Sequence, residues 1–362
     1  METRLFEKIN NRVIIAAGGT GGHIYPGICL AKELKKRGYN PVFIVKKNDL
    51  GIKIVKSEGY QYFELNFIGF PREFCLRSFV FFFKLFFSVL KVIFLIVKIK
   101  PVFVIGLGSY ISFPVVFVSK IFSIKTFIHE QNVVPGLANR FLSKFADRIA
   151  VSFPETKRYF PEDKTFYTGN FIREELFKAN PEDALRKFNF DKSRFTVLIF
   201  GGSQGAHIIN LTILKALKLI LDLKDRIQFL HLTGKDDFPL VKNSYKELDF
   251  KAEILEYLDD MASAYAVSNL VICRAGATTI AEILELKKFS ILIPYPYATE
   301  DHQTQNARYL EKLGFGVFVP ENELSKEKIA NLIRKYLTNP PVEFNSISFP
   351  PKTNLDKFLS IL

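Results

Sequence analysis

Residues 271–306, VICRAGATTIAEILELKKFSILIPYPYATEDHQTQN, read as strand, turn, helix and strand. Val271-Ile272-Cys273 is a short apolar strand, Arg274-Ala275-Gly276 a turn, and 277–286 a helix carrying Thr278, Thr279 and Glu282 near its start. The first N–H groups of a helix lack intrahelical acceptors and lie at the positive end of its dipole, so such a start can hold a phosphate. Glu282 lies about one turn beyond Thr279 on the same side, where its carboxylate can accept hydrogen bonds from a ribose. The next strand, Ser290-Ile291-Leu292-Ile293, runs through Pro294 and Pro296 into Asp301-His302-Gln303 and Asn306, side chains suited to sugar hydroxyls. An ordinary β-α-β unit with a polar surface loop fits the same pattern.

Working outward, the second half of the chain opens with the strand Thr196-Val197-Leu198-Ile199-Phe200 and the loop Gly201-Gly202-Ser203-Gln204-Gly205-Ala206-His207. The first half opens alike, with Val13-Ile14-Ile15 running into Gly18-Gly19-Thr20-Gly21-Gly22-His23 and a helix expected over 25–37. Glycines let a backbone bend sharply and approach a ligand closely. Their spacing fits neither the dinucleotide fingerprint, whose third glycine would be Ile24, nor a Walker loop, whose lysine is missing. The self-similarity predicts two like-built α/β domains whose glycine loops face one cleft.

Further strands are expected at 42–45, 102–105, 125–128, 149–151, 166–168, 227–232, 252–255 and 315–319, with a helix over 325–337. Tyr110 follows the strand at 102–105, and His129-Glu130-Gln131-Asn132 follows the strand at 125–128. Open α/β sheets bind ligands at such carboxyl ends, although His129 and Glu130 could equally cap the next helix. Asp259 and Asp260 fit a helix N-cap better than a metal site, because adjacent side chains point apart.

At 362 residues and 48% hydrophobic content, the chain is long enough for two domains. Cys29, Cys75 and Cys273 lack CxxC spacing, which argues against a disulfide framework or a zinc site. The polar segment METRLFEKINNR is not expected to be a signal peptide. A net charge of +13 favours anionic partners, with nucleic acid ranked last because no zinc-finger or RNP-type motif is present.

Residues 74–99 are almost wholly apolar and rich in phenylalanine, yet Arg77, Lys84, Lys91 and Lys98 recur every seven residues. On a helix, positions seven apart differ by about 20°, so the cations form one stripe. A membrane span needs ~20 uninterrupted apolar residues, and a lysine at the bilayer centre costs on the order of 2.5–3.5 kcal/mol. A helix lying in a membrane interface, or packed on the domain with an apolar flank toward lipid, with Phe82 and Phe86 among its membrane residues, is expected instead. The competing reading is a core helix with a solvent stripe, which leaves the width of the apolar arc unexplained.

Seven motifs, in order, resemble the MurG family of UDP-N-acetylglucosamine transferases in glycosyltransferase family 28. They are GGTGGH at 18–23, HEQN at 129–132, GN.IR at 169–173, GGSQGA at 201–206, DDMA.AYA at 259–266, CR.GA.T..E at 273–282 and DHQ..NA at 301–307. The resemblance spans residues 13–337. It implies a GT-B fold of two Rossmann-like domains with parallel sheets. These would be an acceptor and membrane domain over 1–168 and a nucleotide-sugar domain over 169–339, with the tail 340–362 packed back on the first. It implies transfer of GlcNAc from UDP-GlcNAc to an undecaprenyl-linked muramyl-pentapeptide in peptidoglycan synthesis, hence a role in cell wall, shape and division. The enzyme would sit peripherally on the cytoplasmic face of the bacterial plasma membrane, against anionic lipid and possible cell-wall synthesis partners.

By matching position, the resemblance assigns Ser203 and the backbone of Ala277, Thr278 and Thr279 to the diphosphate, with Ile280 and Ala281 also among the residues that bind UDP-GlcNAc. Glu282 goes to the ribose, the Leu258 backbone to uracil, Arg173 to the nucleotide, and Gln303 and Asn132 to the GlcNAc. Thr20, Gly21 and Gly22 line the cleft, and Tyr110 and His129 lie on the acceptor side. His23 is the first choice of general base and Glu130 the alternative. No cofactor is required and no metal motif is present, although magnesium could assist through the diphosphate. Ser109 departs from the pattern, standing where relatives usually carry another glycine. The rival readings are a UDP-GlcNAc 2-epimerase on the same architecture, and a non-catalytic membrane-associated nucleotide-sugar binder.

Overall fold

A computed structural model describes residues 11–18, 21–49, 51–67, 76–340 and 354–362. The chain divides into two compact units, residues 1–172 with 353–362, and residues 173–352. Unit 1 runs β1 (Arg12–Ala16), α1 (Gly21–Lys36), β2 (Asn40–Lys46), α2 (Gly51–Ser57), β3 (Gln61–Leu65), α3 (Leu76–Ile99) and β4 (Phe103–Gly106), then α4 (Ser109–Ile121), β5 (Lys125–Glu130), α5 (Leu137–Leu142), β6 (Arg148–Val151) and β7 (Thr165–Tyr167). Unit 2 runs α6 (Pro181–Lys187), β8 (Phe195–Phe200), α7 (His207–Leu217), β9 (Ile227–Leu232), α8 (Phe238–Glu247), β10 (Ala252–Leu255) and α9 (Met261–Val267), then β11 (Leu270–Cys273), α10 (Ala277–Glu285), β12 (Ser290–Leu292), α11 (His302–Lys312), β13 (Gly316–Phe318) and α12 (Lys326–Thr338). The last helix, α13 (Asn354–Leu359), belongs to unit 1.

In unit 1 the strand order is β3-β2-β1-β4-β5-β6-β7 and every pairing is parallel. Alternate residues of β1 serve the two faces: Ile14 and Ala16 pack in the core beneath α3, α4 and α5, and Val13 and Ile15 in the core beneath α1, α2 and α13. Both faces are covered, so the strands read as continuous apolar runs rather than alternating ones. Unit 2 repeats the plan with β10-β9-β8-β11-β12-β13, again all parallel. The order reverses between β1 and β4 in unit 1 and between β8 and β11 in unit 2. At those switch points the loops diverge and leave a crevice at the carboxyl ends of the strands.

The structure corrects several expectations. Helix α1 starts at Gly21, not Tyr25, so Gly22 and His23 occupy its first turn. Strand β3 and helices α2 and α4 carry no clear sequence signal. β3 is an edge strand with mixed burial, and α2 opens on Gly51, where a Cβ would come within 2.5 Å of Ile24. Residues 169–172, assigned from sequence to the second domain, belong to unit 1 because Phe171 is buried there, stacked 4.3 Å from the His129 ring. In α13, Phe358 lies 5.1 Å from Phe171 and Asp356 pairs with Arg37 at 3.0 Å. Of the tail 340–362, expected to pack back on the first domain, residues 354–362 lie in unit 1 and 341–353 fall outside the described residues.

Helix α3 packs on the unit 1 sheet through Phe81, Val92, Leu95, Ile96 and Ile99. Its opposite side carries Phe79, Phe82, Phe83, Phe86, Phe87, Leu90, Phe94 and Val97, each at least 45% exposed. Lys84, Lys91 and Lys98 follow one border between the two faces. The side chain of Arg77, assigned to the same stripe, lies outside the described residues. Over Phe79–Ile99 the helix is long and apolar enough to cross a bilayer, but one flank is committed to the domain core.

Candidate active site

The sequence motifs gather at the two switch points. In unit 1, the end of β1 leads toward α1, β4 ends in Gly106-Leu107-Gly108, and β5 delivers His129-Glu130-Gln131-Asn132 beside them. His23, half-buried in the first turn of α1, places Nδ1 3.1 Å from Gln131 Oε1. Gly108 has φ +77°, and a Cβ there would lie 3.1 Å from His23 Cε1 and 3.2 Å from Gln131 Oε1. The left-handed turn and the missing side chain together let His23 meet Gln131. Tyr110 is half-buried in the first turn of α4, where Ser109 takes φ +63°. That left-handed backbone is the physical reason a glycine suits position 109. Thr20 lies outside the described residues, and of Gly21 only its helical backbone is described.

His129 and Glu130 are not surface groups. His129 is fully buried, its Nε2 is 3.0 Å from the Gly169 carbonyl oxygen, and desolvation lowers its pKa to about 4. A neutral, inaccessible ring cannot meet an acceptor, which corrects the acceptor-side assignment. Glu130 is 2% exposed and accepts four hydrogen bonds: Asn132 N at 2.9 Å and Asn132 Nδ2 at 3.1 Å on Oε1, Gly136 N at 3.3 Å and Asn139 Nδ2 at 2.9 Å on Oε2. Burial raises its pKa, and these four donors oppose the rise. With both oxygens engaged, Glu130 holds the 131–136 loop together and is not placed to take a proton from substrate.

In unit 2, β8 ends at the loop 201–206, where Ser203 is exposed. Gly205 has φ +76°, and its Cβ would fall 2.0 Å from the Thr233 carbonyl oxygen, so any side chain would force the loop off the neighbouring strand end. Strand β11 leads through Arg274-Ala275-Gly276 into α10, whose N-cap Gly276 supplies no side-chain acceptor. Ala277, Thr278 and Thr279 are half-buried at that start. Ile280 and Ala281 are not part of it. Ile280 is fully buried with its N–H donated to the Gly276 carbonyl at 2.9 Å, and Ala281 is 6% exposed.

Glu282, 7% exposed, receives the Tyr265 hydroxyl on Oε2 at 2.9 Å and faces the Arg173 guanidinium from Oε1 at 3.6 Å. Desolvation raises its pKa, and Arg173 and Tyr265 hold it back. Tyr265 and Arg173 therefore preset the carboxylate. Tyr265 lies in the DDMA.AYA motif at 259–266, but on an apolar helix it reads as a core ring, and its bond to Glu282 has no sequence signal. Arg274 is committed elsewhere: it pairs with Glu321 at 2.6 Å and donates to the Pro294 carbonyl at 2.8 Å. Gln303 Oε1 accepts the Tyr295 N–H at 2.9 Å, and Asn306 Nδ2 donates to the Ala275 carbonyl at 3.1 Å. Gln303 thus ties the first turn of α11 to Tyr295, and Asn306 ties α11 to the turn before α10. Leu258 is half-buried before α9, and Asp260 N-caps that helix by accepting from Ser263 N at 3.0 Å. Among the described residues no group of three His, Cys, Asp or Glu side chains is placed to hold a metal ion.

Residues 13–151 match the glycosyltransferase family 28 N-terminal domain and residues 196–355 its C-terminal domain. The chain belongs to glycosyltransferase family 28. It is 42% identical, over 97% of its own length and 97% of the relative's, to the UDP-N-acetylglucosamine--N-acetylmuramyl-(pentapeptide) pyrophosphoryl-undecaprenol N-acetylglucosamine transferase of Thermodesulfovibrio yellowstonii. Among solved structures it superposes on Acinetobacter baumannii MurG with a TM-score of 0.75 and 25% identity, covering 96% of this chain and 98% of that one. The Neisseria meningitidis UDP-GlcNAc 2-epimerase, at TM-score 0.69 and 14% identity over 96% of this chain and 98% of that one, shares the fold alone. For this family 28 chain the two parallel-sheet domains and their switch points are the GT-B architecture.

Proposed function

We propose that the chain transfers GlcNAc from UDP-GlcNAc to the C4 hydroxyl of MurNAc in undecaprenyl-pyrophosphoryl-MurNAc-pentapeptide, inverting the donor's α linkage to β. The observation that carries this is near-full-length similarity to an enzyme of that name, joined to a helix start that suits a diphosphate and a preset carboxylate one turn beyond it. Unit 2 binds the donor: the α10 start and Ser203 take the diphosphate, Glu282 the ribose, the Leu258 backbone the uracil, and Gln303 the amino sugar. Arg173 reaches the nucleotide while holding Glu282. Unit 1 binds the acceptor along Gly22 and Tyr110 and supplies the base.

In the transfer, His23 removes the proton of the C4 hydroxyl, whose oxygen attacks the anomeric carbon as the bond to phosphate breaks. UDP departs with that electron pair. Its charge is met by the N–H groups opening α10, donors already in place and in need of no rearrangement. Any magnesium would be held by the diphosphate, since among the described residues no side-chain group is placed to hold it, and would supply further charge to the departing UDP.

The exposed phenylalanine arc of α3, bordered by lysines, fits a helix seated at the cytoplasmic surface of an anionic membrane, where the lipid acceptor resides. Vesicles containing anionic lipid are expected to sediment the protein at low salt, and Lys84→Glu with Lys91→Glu to weaken this. Unchanged sedimentation would remove the membrane reading. Radiolabelled transfer to the lipid-linked muramyl acceptor, offered UDP-GlcNAc or UDP-Glc, tests the activity itself. Conversion of UDP-GlcNAc to the manno sugar without acceptor would replace the proposal with an epimerase.

A further inference from the structure

Gln131 is 1% exposed and all of its side-chain atoms that can hydrogen-bond are engaged within unit 1. Its Nε2 lies 3.0 Å from the Leu107 carbonyl oxygen and 3.2 Å from His129 Nδ1, and its Oε1 lies 3.1 Å from His23 Nδ1. A carbonyl oxygen only accepts, so the amide NH₂ must face Leu107. His129 fixes the same orientation independently. Its Nε2 faces the Gly169 carbonyl at 3.0 Å and must therefore carry a hydrogen. Burial keeps that ring neutral, with its pKa lowered to about 4, so Nδ1 is a lone-pair nitrogen that needs a donor. Ser152 Oγ, 3.3 Å from His129 Nε2, can share that hydrogen as an acceptor.

With both amide hydrogens assigned, the oxygen of Gln131 is what His23 meets, and an amide oxygen only accepts. His23 Nδ1 must then carry the hydrogen, and in the neutral ring the lone pair sits on Nε2. A histidine in water favours the opposite arrangement, so the protein imposes this one. We infer that Gln131 is a positioning residue that locks His23 in the Nδ1–H tautomer and so decides which nitrogen takes the acceptor's proton. The functional half of that inference rests on His23 being the base; the tautomer itself does not.

The test labels the imidazoles with ¹⁵N and ¹³C; the chain has five histidines, so their signals can be assigned by single substitutions. The expected result for the wild-type protein is an Nδ1–H ring at His23 and an Nε2–H ring at His129. An Nε2–H signal at His23 overturns the inference outright. Gln131→Leu removes the acceptor and should shift His23 to the Nε2–H form while lowering kcat at least about tenfold with donor KM unchanged, since a misoriented base forfeits general-base assistance. Gln131→Glu keeps an oxygen toward His23 and should retain the Nδ1–H tautomer, with its kcat above that of Gln131→Leu. A purely structural Gln131 would be harmed at least as much by glutamate, which disturbs the contacts to Leu107 and His129, so that order of activities also overturns the inference. His23→Ala tests the base separately: full turnover there removes His23 from the mechanism and leaves the tautomer result to stand or fall by its spectrum.

Discussion

Each unit links a buried strand histidine to the histidine that follows its glycine loop, but the links differ in kind. In unit 1, His129 on β5 reaches His23 through the Gln131 amide. In unit 2, His231 on β9 lies 3.0 Å from Asn210, which donates to Asp237 at 2.7 Å, and Asp237 in turn holds His207 at 2.7 Å. The neutral amide of unit 1 sets a tautomer without adding charge. The unit 2 chain runs through a carboxylate, and its amide also donates to the Thr233 carbonyl at 2.8 Å, the atom that a Cβ on Gly205 would meet. One glycine-loop motif is thus wired in two ways: toward the base proposed above in unit 1, and toward loop shape in unit 2.

The sharpest break would come from the outer ends of these chains, His23 and His207. His23→Ala should lower kcat by about 10²–10⁴-fold, the usual contribution of a general base, whereas His207→Ala, at a largely exposed position, should change it by about twofold at most. Equal losses in steady-state assays would erase the distinction.

Acid probes the buried ends. Desolvation lowers His129 to about 4 and His231 to about 3, from an ordinary 6.5, so below 6.5 the unfolded chain binds protons that the folded chain refuses. Stability should be full above that pH and fall as pH drops through 6.5 toward the folded values, by on the order of 3 kcal/mol for each ring. Urea titrations between pH 7 and 4.5 check this. A flat profile would show that the two rings are not buried neutral.

Gly205→Ala should destabilise unit 2 by roughly 2 kcal/mol or more, since φ is positive and backbone blocks the new methyl. Gly108→Ala should cost less stability, because its neighbours are side chains that can give way. Differential scanning calorimetry would rank them, and the reverse order would contradict the picture of a shape-holding loop in unit 2. The smallest effect is expected at Ser109, where glycine relieves a left-handed backbone: Ser109→Gly should raise stability by up to about 1 kcal/mol, read as a small increase in Tm.

Most strands, the two glycine loops and the helix that starts at Ala277 were legible in the chain, because apolar periodicity and glycine punctuation are local; β3, α2 and α4 were not. So was the family, through seven short motifs in sequence order. Tertiary structure alone decided which polar residues were available for chemistry. His129 and Glu130 sit among the most reactive-looking residues of the sequence, yet burial neutralises one and four hydrogen bonds occupy the other. Gln131, next after them in the chain, and Tyr265, inside an apolar helix, gain their roles only from partners 108 and 17 residues away in sequence. Hydrogen-bond direction and desolvation depend on what the fold brings within about 3 Å, and a linear pattern does not contain that information.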